Sequence, residues 1–158
     1  MASSQKNLSD YTTDNLPDVS GKTFAVLVSE WNEGITHALA DGARATLRQH
    51  GVPDDHVLVR TVPGSFELPL AAQKMASQEA VHAVICLGCV IQGETPHFDY
   101  VCQAVALGLK DVGLKYDKPV IFGVLTTSTL KQAQDRAGGK HGNKGDEAAI
   151  TAIKMLAF

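Results

Sequence analysis

The apolar positions of this chain fall into two kinds of run that take turns. Short, nearly unbroken apolar runs occupy residues 23–28, 57–62, 83–87 and 119–125. Runs of that length, bounded by glycine, proline and polar residues, read as strands covered on both faces. Between them the apolar residues recur at helical spacing. A helix is expected over 35–50, closed by Gly51 and Pro53, with a small-residue inward stripe of Ile35, Leu39, Gly42 and Thr46 suited to close packing on a sheet. A second helix should follow the turn at 63–69 and run to about 78, and a third should span 99–114. That third helix is apolar over most of its circumference, through Val101, Ala104, Val105, Ala106, Leu107, Leu109 and Val112. One domain buries one stripe, so further apolar faces point to subunit contacts. A short helix at 130–137, a basic glycine-rich loop at 138–145 and a last helix from Asp146 complete the pattern.

Strands that take turns with helices imply a parallel sheet with right-handed crossovers. The expected fold is therefore α/β: a three-layer α/β/α sandwich on a four-stranded parallel sheet. Residues 1–20 are polar and read as an arm that orders only against something else, leaving 21–158 as a single domain.

Composition narrows the class. The 158 residues are 44% apolar and 20% charged, ordinary for a soluble globule, and the net charge is -3. That balance disfavours nucleic acid or an anionic membrane as partner. No apolar run has the length of a membrane span and no signal-peptide pattern opens the sequence, so a cytoplasmic location is expected. Three cysteines make no disulfide framework. Cys86 and Cys89 form a C-x-x-C, but Cys86 falls in an expected buried strand, where redox pairs do not sit. No second pair completes a zinc site, and no metal is expected.

The chemistry gathers at residues 88–100, GCVIQGETPHFDY, where the third strand gives way to the third helix. Open α/β sheets bind ligands at such junctions. Thr95 fits an N-cap and Pro96 the first helical position. The unpaired N–H groups of that helix start would form an anion site. His97 would stand on its rim as a proton-transfer group. The spacing Gly88-x-x-x-x-Gly93-Glu94-Thr95 is a near miss of a P-loop. Glu94 stands where a phosphate-binding lysine belongs and would repel a triphosphate, which excludes nucleoside triphosphate hydrolysis.

Loops after parallel strands share one edge of the sheet. That edge should gather Trp31 and Asn32, then Ser65, Phe66 and Glu67, then residues 89–97, with Thr126 and Thr127 beyond Phe122. Singly each has an ordinary role. Phe66 and Phe122 would be core, Glu67 would favour a helix start, and Arg136 would be a solvated helix-end cation. Together, aromatics, a carboxylate, an anion site, a histidine and a basic loop containing Lys144 suit a flat heteroaromatic and a phosphate.

The segments SEWNEG, VPGSFELP, GCVIQGETPHFDYV, PVIFGVLTT and RAGGKHGNKG, in that order, resemble the lumazine synthase family, from about residue 21 to the C-terminus. The resemblance implies a flavodoxin-like sheet and a cofactor-free condensation. In it, 5-amino-6-(D-ribitylamino)uracil and 3,4-dihydroxy-2-butanone 4-phosphate give 6,7-dimethyl-8-ribityllumazine, the penultimate step of riboflavin synthesis. Carried across, Trp31 takes a stacking position that is commonly Phe. Asn32, Ser65, Phe66, Glu67, Cys89, Val90 and Ile91 line the pyrimidine and ribityl pocket. Glu94 and Thr95 sit at the phosphate, and His97 transfers protons. Phe122, Arg136 and Lys144 come from a neighbouring subunit, with Arg136 gripping the phosphate. Glu94 departs from a position that is often small or neutral, and its side chain is expected to turn away while its backbone N–H binds.

The resemblance also implies a homo-oligomer: a pentamer and, given the compact 136–144 segment, a 60-subunit icosahedral shell. The arm would add a strand to the neighbour's sheet, and riboflavin synthase would be a further partner. The alternatives are a non-catalytic flavin- or lumazine-binding carrier and a shell protein without activity. SEWNEG lacks the Ser/Thr-rich phosphate cradle of a flavin carrier, and neither alternative needs His97.

Overall fold

The computed structural model describes residues 7–13 and 15–158. Four strands, β1 (Phe24–Ser29), β2 (Val57–Val62), β3 (Ala83–Ile91) and β4 (Val120–Thr127), form one parallel sheet in the order β2-β1-β3-β4. Their registers are continuous: Phe24 lies opposite both Val57 and Ala83, and Ile85 opposite Ile121.

Strand periodicity sorts the core into two halves. Phe24, Val26, Val28, Ile85 and Leu87 pack under α1 (Glu33–Gln49) and α5 (Lys144–Met155). Ala25, Leu27, Val84 and Cys86 pack under α2 (Leu68–Ala76) and α3 (His97–Tyr116). The three-layer sandwich is thus the observed one, and burial on both faces explains the unbroken apolar runs of the central β1 and β3, while the edge strands β2 and β4 leave Arg60, Thr61, Phe122 and Thr126 exposed.

Helix ends follow local chemistry. After α1, Gly51 takes φ 87°, its N–H bonds the Arg48 carbonyl, and the Val52 N–H reaches Leu47 O. This is a glycine-terminated stop with a buried Val52 sealing it. Asn143 caps α5, its side-chain oxygen accepting the Gly145 N–H at 2.8 Å, so that helix starts two residues before Asp146.

Several expectations need correction. β3 continues to Ile91, so Gly88–Ile91 are strand, not loop. Parallel pairing with β4 holds them, Gly88 opposite Val124 and Ile91 opposite Thr127. Thr95 is not the N-cap of α3. Pro96 holds that position, and its carbonyl takes the Asp99 N–H at 3.0 Å, which makes His97 the first helical residue. The stretch 138–145 is no open loop. β5 (Ala137–Gly139) and β6 (Gly142–Asn143) form a small antiparallel hairpin after α4 (Leu130–Gln134), turned by Gly138 and Gly142 at φ 100° and 81°. Gly42 approaches α5 rather than the sheet: a β-carbon there would meet Asp146 Oδ1 at 2.5 Å.

Residues 1–6 and 14 of the expected arm lie outside the described residues. Its other residues lie on their own chain. Val19 is buried, Tyr11 and Leu16 pack on the α1/α5 core, and the Leu8 N–H bonds His141 O at 2.7 Å. Only one stripe of α3 is covered, by Val105, Leu109 and Val112, while Leu107 and Leu114 are exposed.

Candidate active site

The sheet order places a topological switch between β1 and β3, where their C-terminal ends diverge. A cavity of about 630 Å³ opens there. Its walls come from four segments: Trp31 and Asn32 after β1, Gly64–Glu67 after β2, Cys89–Ile91 closing β3, and the turn into α3 with its first residues.

Backbone hydrogen bonds fix the first two segments to each other. The Glu30 N–H bonds Val62 O at 2.8 Å, and the Trp31 N–H bonds Pro63 O at 3.2 Å. Asn32 then takes φ 64°, a left-handed conformation that asparagine tolerates. From there its Nδ2 donates to the Cys89 carbonyl at 2.9 Å, joining the β1 loop to the end of β3. With this frame held, Trp31 stands 73% exposed and Phe66 59% exposed at the cavity. Aromatics left open on a rigid frame are stacking surfaces for a planar ligand. Ser65 is buried in the short 3-10 turn Ser65–Glu67. Glu67 ends that turn and lines the cavity, where its carboxylate can serve as an acceptor.

The far wall is the start of α3. Gly93, Thr95, His97, Phe98, Tyr100 and Val101 line it. His97 is exposed and opens the helix, so its imidazole meets the cavity beside the first-turn N–H groups. Proton transfer and anion binding are what such a wall can do. Cys89 on the floor is chemically quiet, because burial pushes its thiol up to about 11. Cys86 is shifted further in the same direction, and it faces the α2/α3 layer while Cys89 faces the α1/α5 layer. The C-x-x-C therefore straddles the sheet and makes no pair.

Ten of the residues singled out by sequence meet at this cavity: Trp31, Asn32, Ser65, Phe66, Glu67, Cys89, Val90, Ile91, Thr95 and His97. Glu94, between two lining residues, is exposed and off the lining. Phe122, Arg136 and Lys144 are also elsewhere in the chain. Phe122 is exposed on the edge strand β4, opposite Cys86, so it is not core. The Arg136 guanidinium donates to Gln132 O at 3.0 Å. The Lys144 ammonium pairs with Glu147 at 2.8 Å. Arg136 and Lys144 share the base of the β5–β6 hairpin, where the Lys144 N–H bonds Arg136 O. Five lining residues had been given no role of their own: Gly64, Gly93, Phe98, Tyr100 and Val101. Helical spacing from His97 points at Tyr100 and Val101, a signal hidden by reading the apolar body of α3, from Val101 onward, as subunit contact.

An α/β sandwich with aromatics, a carboxylate and a helix-start histidine around one switch-point crevice belongs to the class of small-molecule enzymes. Comparison with known proteins specifies which. A family model described as 6,7-dimethyl-8-ribityllumazine synthase matches residues 21–158. A protein of that name from Cytophaga hutchinsonii is 59% identical over 157 residues, covering 99% of this chain and 98% of its own. Those from Parabacteroides distasonis and Phocaeicola vulgatus are each 52% identical over 158 residues, covering all of this chain and 99% and 94% of theirs. This chain belongs to the 6,7-dimethyl-8-ribityllumazine synthase family, transferases of riboflavin biosynthesis.

Proposed function

We propose that this chain condenses 5-amino-6-(D-ribitylamino)uracil with 3,4-dihydroxy-2-butanone 4-phosphate to give 6,7-dimethyl-8-ribityllumazine. The observation that carries the reading is the single cavity in which stacking aromatics, a carboxylate and a helix-start histidine meet. Trp31 and Phe66 sandwich or flank the pyrimidine, Glu67 accepts from its polar arm, and Val90 and Ile91 bound its edge. Gly93 and Thr95 offer the phosphate end a polar rim, with the Glu94 backbone N–H adding to it while the carboxylate points out.

The chemistry asks little beyond positioning. An amine adds to the ketone and water leaves as the imine forms. Loss of a proton from carbon expels phosphate, and the second amine closes the ring with loss of a further water. His97 takes and returns these protons. Holding both reactants in one crevice supplies much of the acceleration. The leaving dianion needs more positive charge than the cavity's own residues hold, since no lysine or arginine among the described residues lines it. Arg136, brought by a neighbouring subunit, fills that need, with Phe122 and Lys144 completing the pocket. The uncovered apolar face of α3 (Leu107, Leu114) and the exposed Phe122 support subunit packing of this kind. The assembly is then a pentamer, with a 60-subunit icosahedral shell as its closed form. In this reading 21–158 forms the single folded domain, the cytoplasm is the site of action, and riboflavin synthase is a further partner.

Purified protein mixed with both substrates should build the lumazine absorbance well above the spontaneous rate, in step with phosphate release. Oligomers of His97→Ala alone and of Arg136→Ala alone should be slow. Refolding the two variants together should recover activity, because mixed pockets pair an intact His97 with an intact Arg136. No recovery on mixing would remove the shared-pocket reading. Flavin binding without turnover would make the chain a carrier.

A further inference from the structure

Gly88 has no part in the chemistry described so far, yet it lies directly beneath the cavity. A β-carbon built on it would fall 2.5 Å from Ser65 Oγ, closer than real carbon–oxygen contacts come. The next atoms are Leu68 Cδ1 at 3.2 Å and Ser29 Oγ at 3.4 Å. Ser65 is thus the one severe obstacle. Its hydroxyl occupies the volume that any side chain on residue 88 would take. Ser29, at the end of β1, faces the same notch, and its hydroxyl is fully buried with no hydrogen-bond partner among the described residues. Two hydroxyls from neighbouring strand ends therefore converge on a gap in β3 that only glycine leaves open.

The backbone gives no other reason for glycine here. Residue 88 sits inside a regular parallel strand, paired with Val124, and no left-handed conformation is found at that position. Glycine in a strand interior is destabilising and marks a close approach. We infer that Gly88 is a positioning residue: the missing side chain is the seat of the Ser65 hydroxyl and sets its direction at the floor of the pyrimidine pocket. This rests on the functional reading above, in which Ser65 meets the pyrimidine.

The test is a cycle of Gly88→Ala, Ser65→Ala and the double variant in the full chain, with steady-state kinetics on each substrate and a crystal structure of Gly88→Ala. Ser65→Ala should raise the Michaelis constant for the pyrimidine about fivefold, the scale of one hydrogen bond. Gly88→Ala should do the same by expelling the hydroxyl, with the constant for the phosphate substrate and the melting temperature little changed. In the double variant the colliding oxygen is gone, so its effect should equal that of either single change. The crystal structure should show Ser65 turned out of its seat. Multiplying effects, a normal Gly88→Ala enzyme, or an unmoved Ser65 would each overturn the assignment. If Gly88→Ala alone fails to fold, the Ser65→Ala background should restore folding, and failure there too would overturn it. If the wild-type chain makes no lumazine, the functional reading falls, and the crystal structure alone decides whether Gly88 seats Ser65.

Discussion

The two ends of the sheet are finished in opposite ways. At the C-terminal end of the strands, Trp31, Phe66 and Tyr100 stand exposed around an open cavity, and Asn32 holds a left-handed turn. At the N-terminal end the chain closes on itself. The His82 N–H donates to Thr23 O at 2.9 Å, and the Thr23 N–H donates back to His82 Nδ1 at 3.0 Å. Beside them Lys118 Nζ donates to Gln78 O at 2.7 Å, placing a cation near the end of α2. The fold thus separates two tasks. The base ties its chain segments together with hydrogen bonds and holds the sheet, while the top leaves aromatic and titratable groups free for a ligand.

The largest effect should come from the top. His97→Ala is expected to lower kcat about 100-fold, the low end of what a proton-transfer group contributes, with the melting temperature unchanged. His97 is exposed, and its side chain makes no hydrogen bond among the described residues. A drop of several degrees in melting temperature would make it structural and blur the division between the ends. Asn32 tests the boundary, because it belongs to the site and to the frame. Asn32→Ala puts at φ 64° a residue without asparagine's tolerance of the left-handed region and cuts the bond to Cys89 O. Together these should cost about 2 kcal/mol, or roughly 4–8 °C of melting temperature. Asn32→Gly keeps the backbone free and should lose only the bond. Equal losses in the two variants would show that the left-handed turn stores no cost.

Much of this division was legible in the sequence, for physical reasons that can be named. Central strands of a parallel sheet are buried on both faces, so Phe24–Ser29 and the first part of Ala83–Ile91 announce themselves as apolar runs. Loops after such strands must share one edge, which is why Trp31, Ser65, Glu67 and His97 can be grouped from the sequence. What stayed hidden depends on partners distant in sequence. Gly88 reads only as part of a P-loop-like spacing until Ser65 is seen lying against it. Pro96 displaced Thr95 from the cap because its carbonyl, not a side chain, organises the first turn of α3. The base was missed altogether, since His82 and Thr23 are ordinary residues whose pairing exists only across β1 and β3.

That base gives the smallest expected effect and the cleanest sign. Burial, with the ammonium groups of Lys22 and Lys118 and the nearby His56, holds the His82 imidazole below the ordinary histidine value, against the pull of the Ala80 carbonyl. In the unfolded chain the ring would take up a proton near its ordinary value of about 6.5. Above that pH both states are neutral and the bond from the Thr23 N–H contributes in full. As pH falls below it, the unfolded state binds the proton first, so stability declines until the folded ring protonates at its lower value. Protonation there would replace an acceptor with a donor facing the Thr23 N–H, beside two lysines. Denaturant unfolding at pH 8 and pH 5 should therefore show a loss on acidification that is smaller in His82→Gln, by about 1 kcal/mol. At pH 8 the variant should be the less stable of the two, and its lumazine synthesis at that pH should match wild type, since His82 is remote from the cavity. A variant with the wild-type pH slope would move the acid sensitivity to another histidine, and one with impaired turnover would show that the two ends of the sheet are coupled after all.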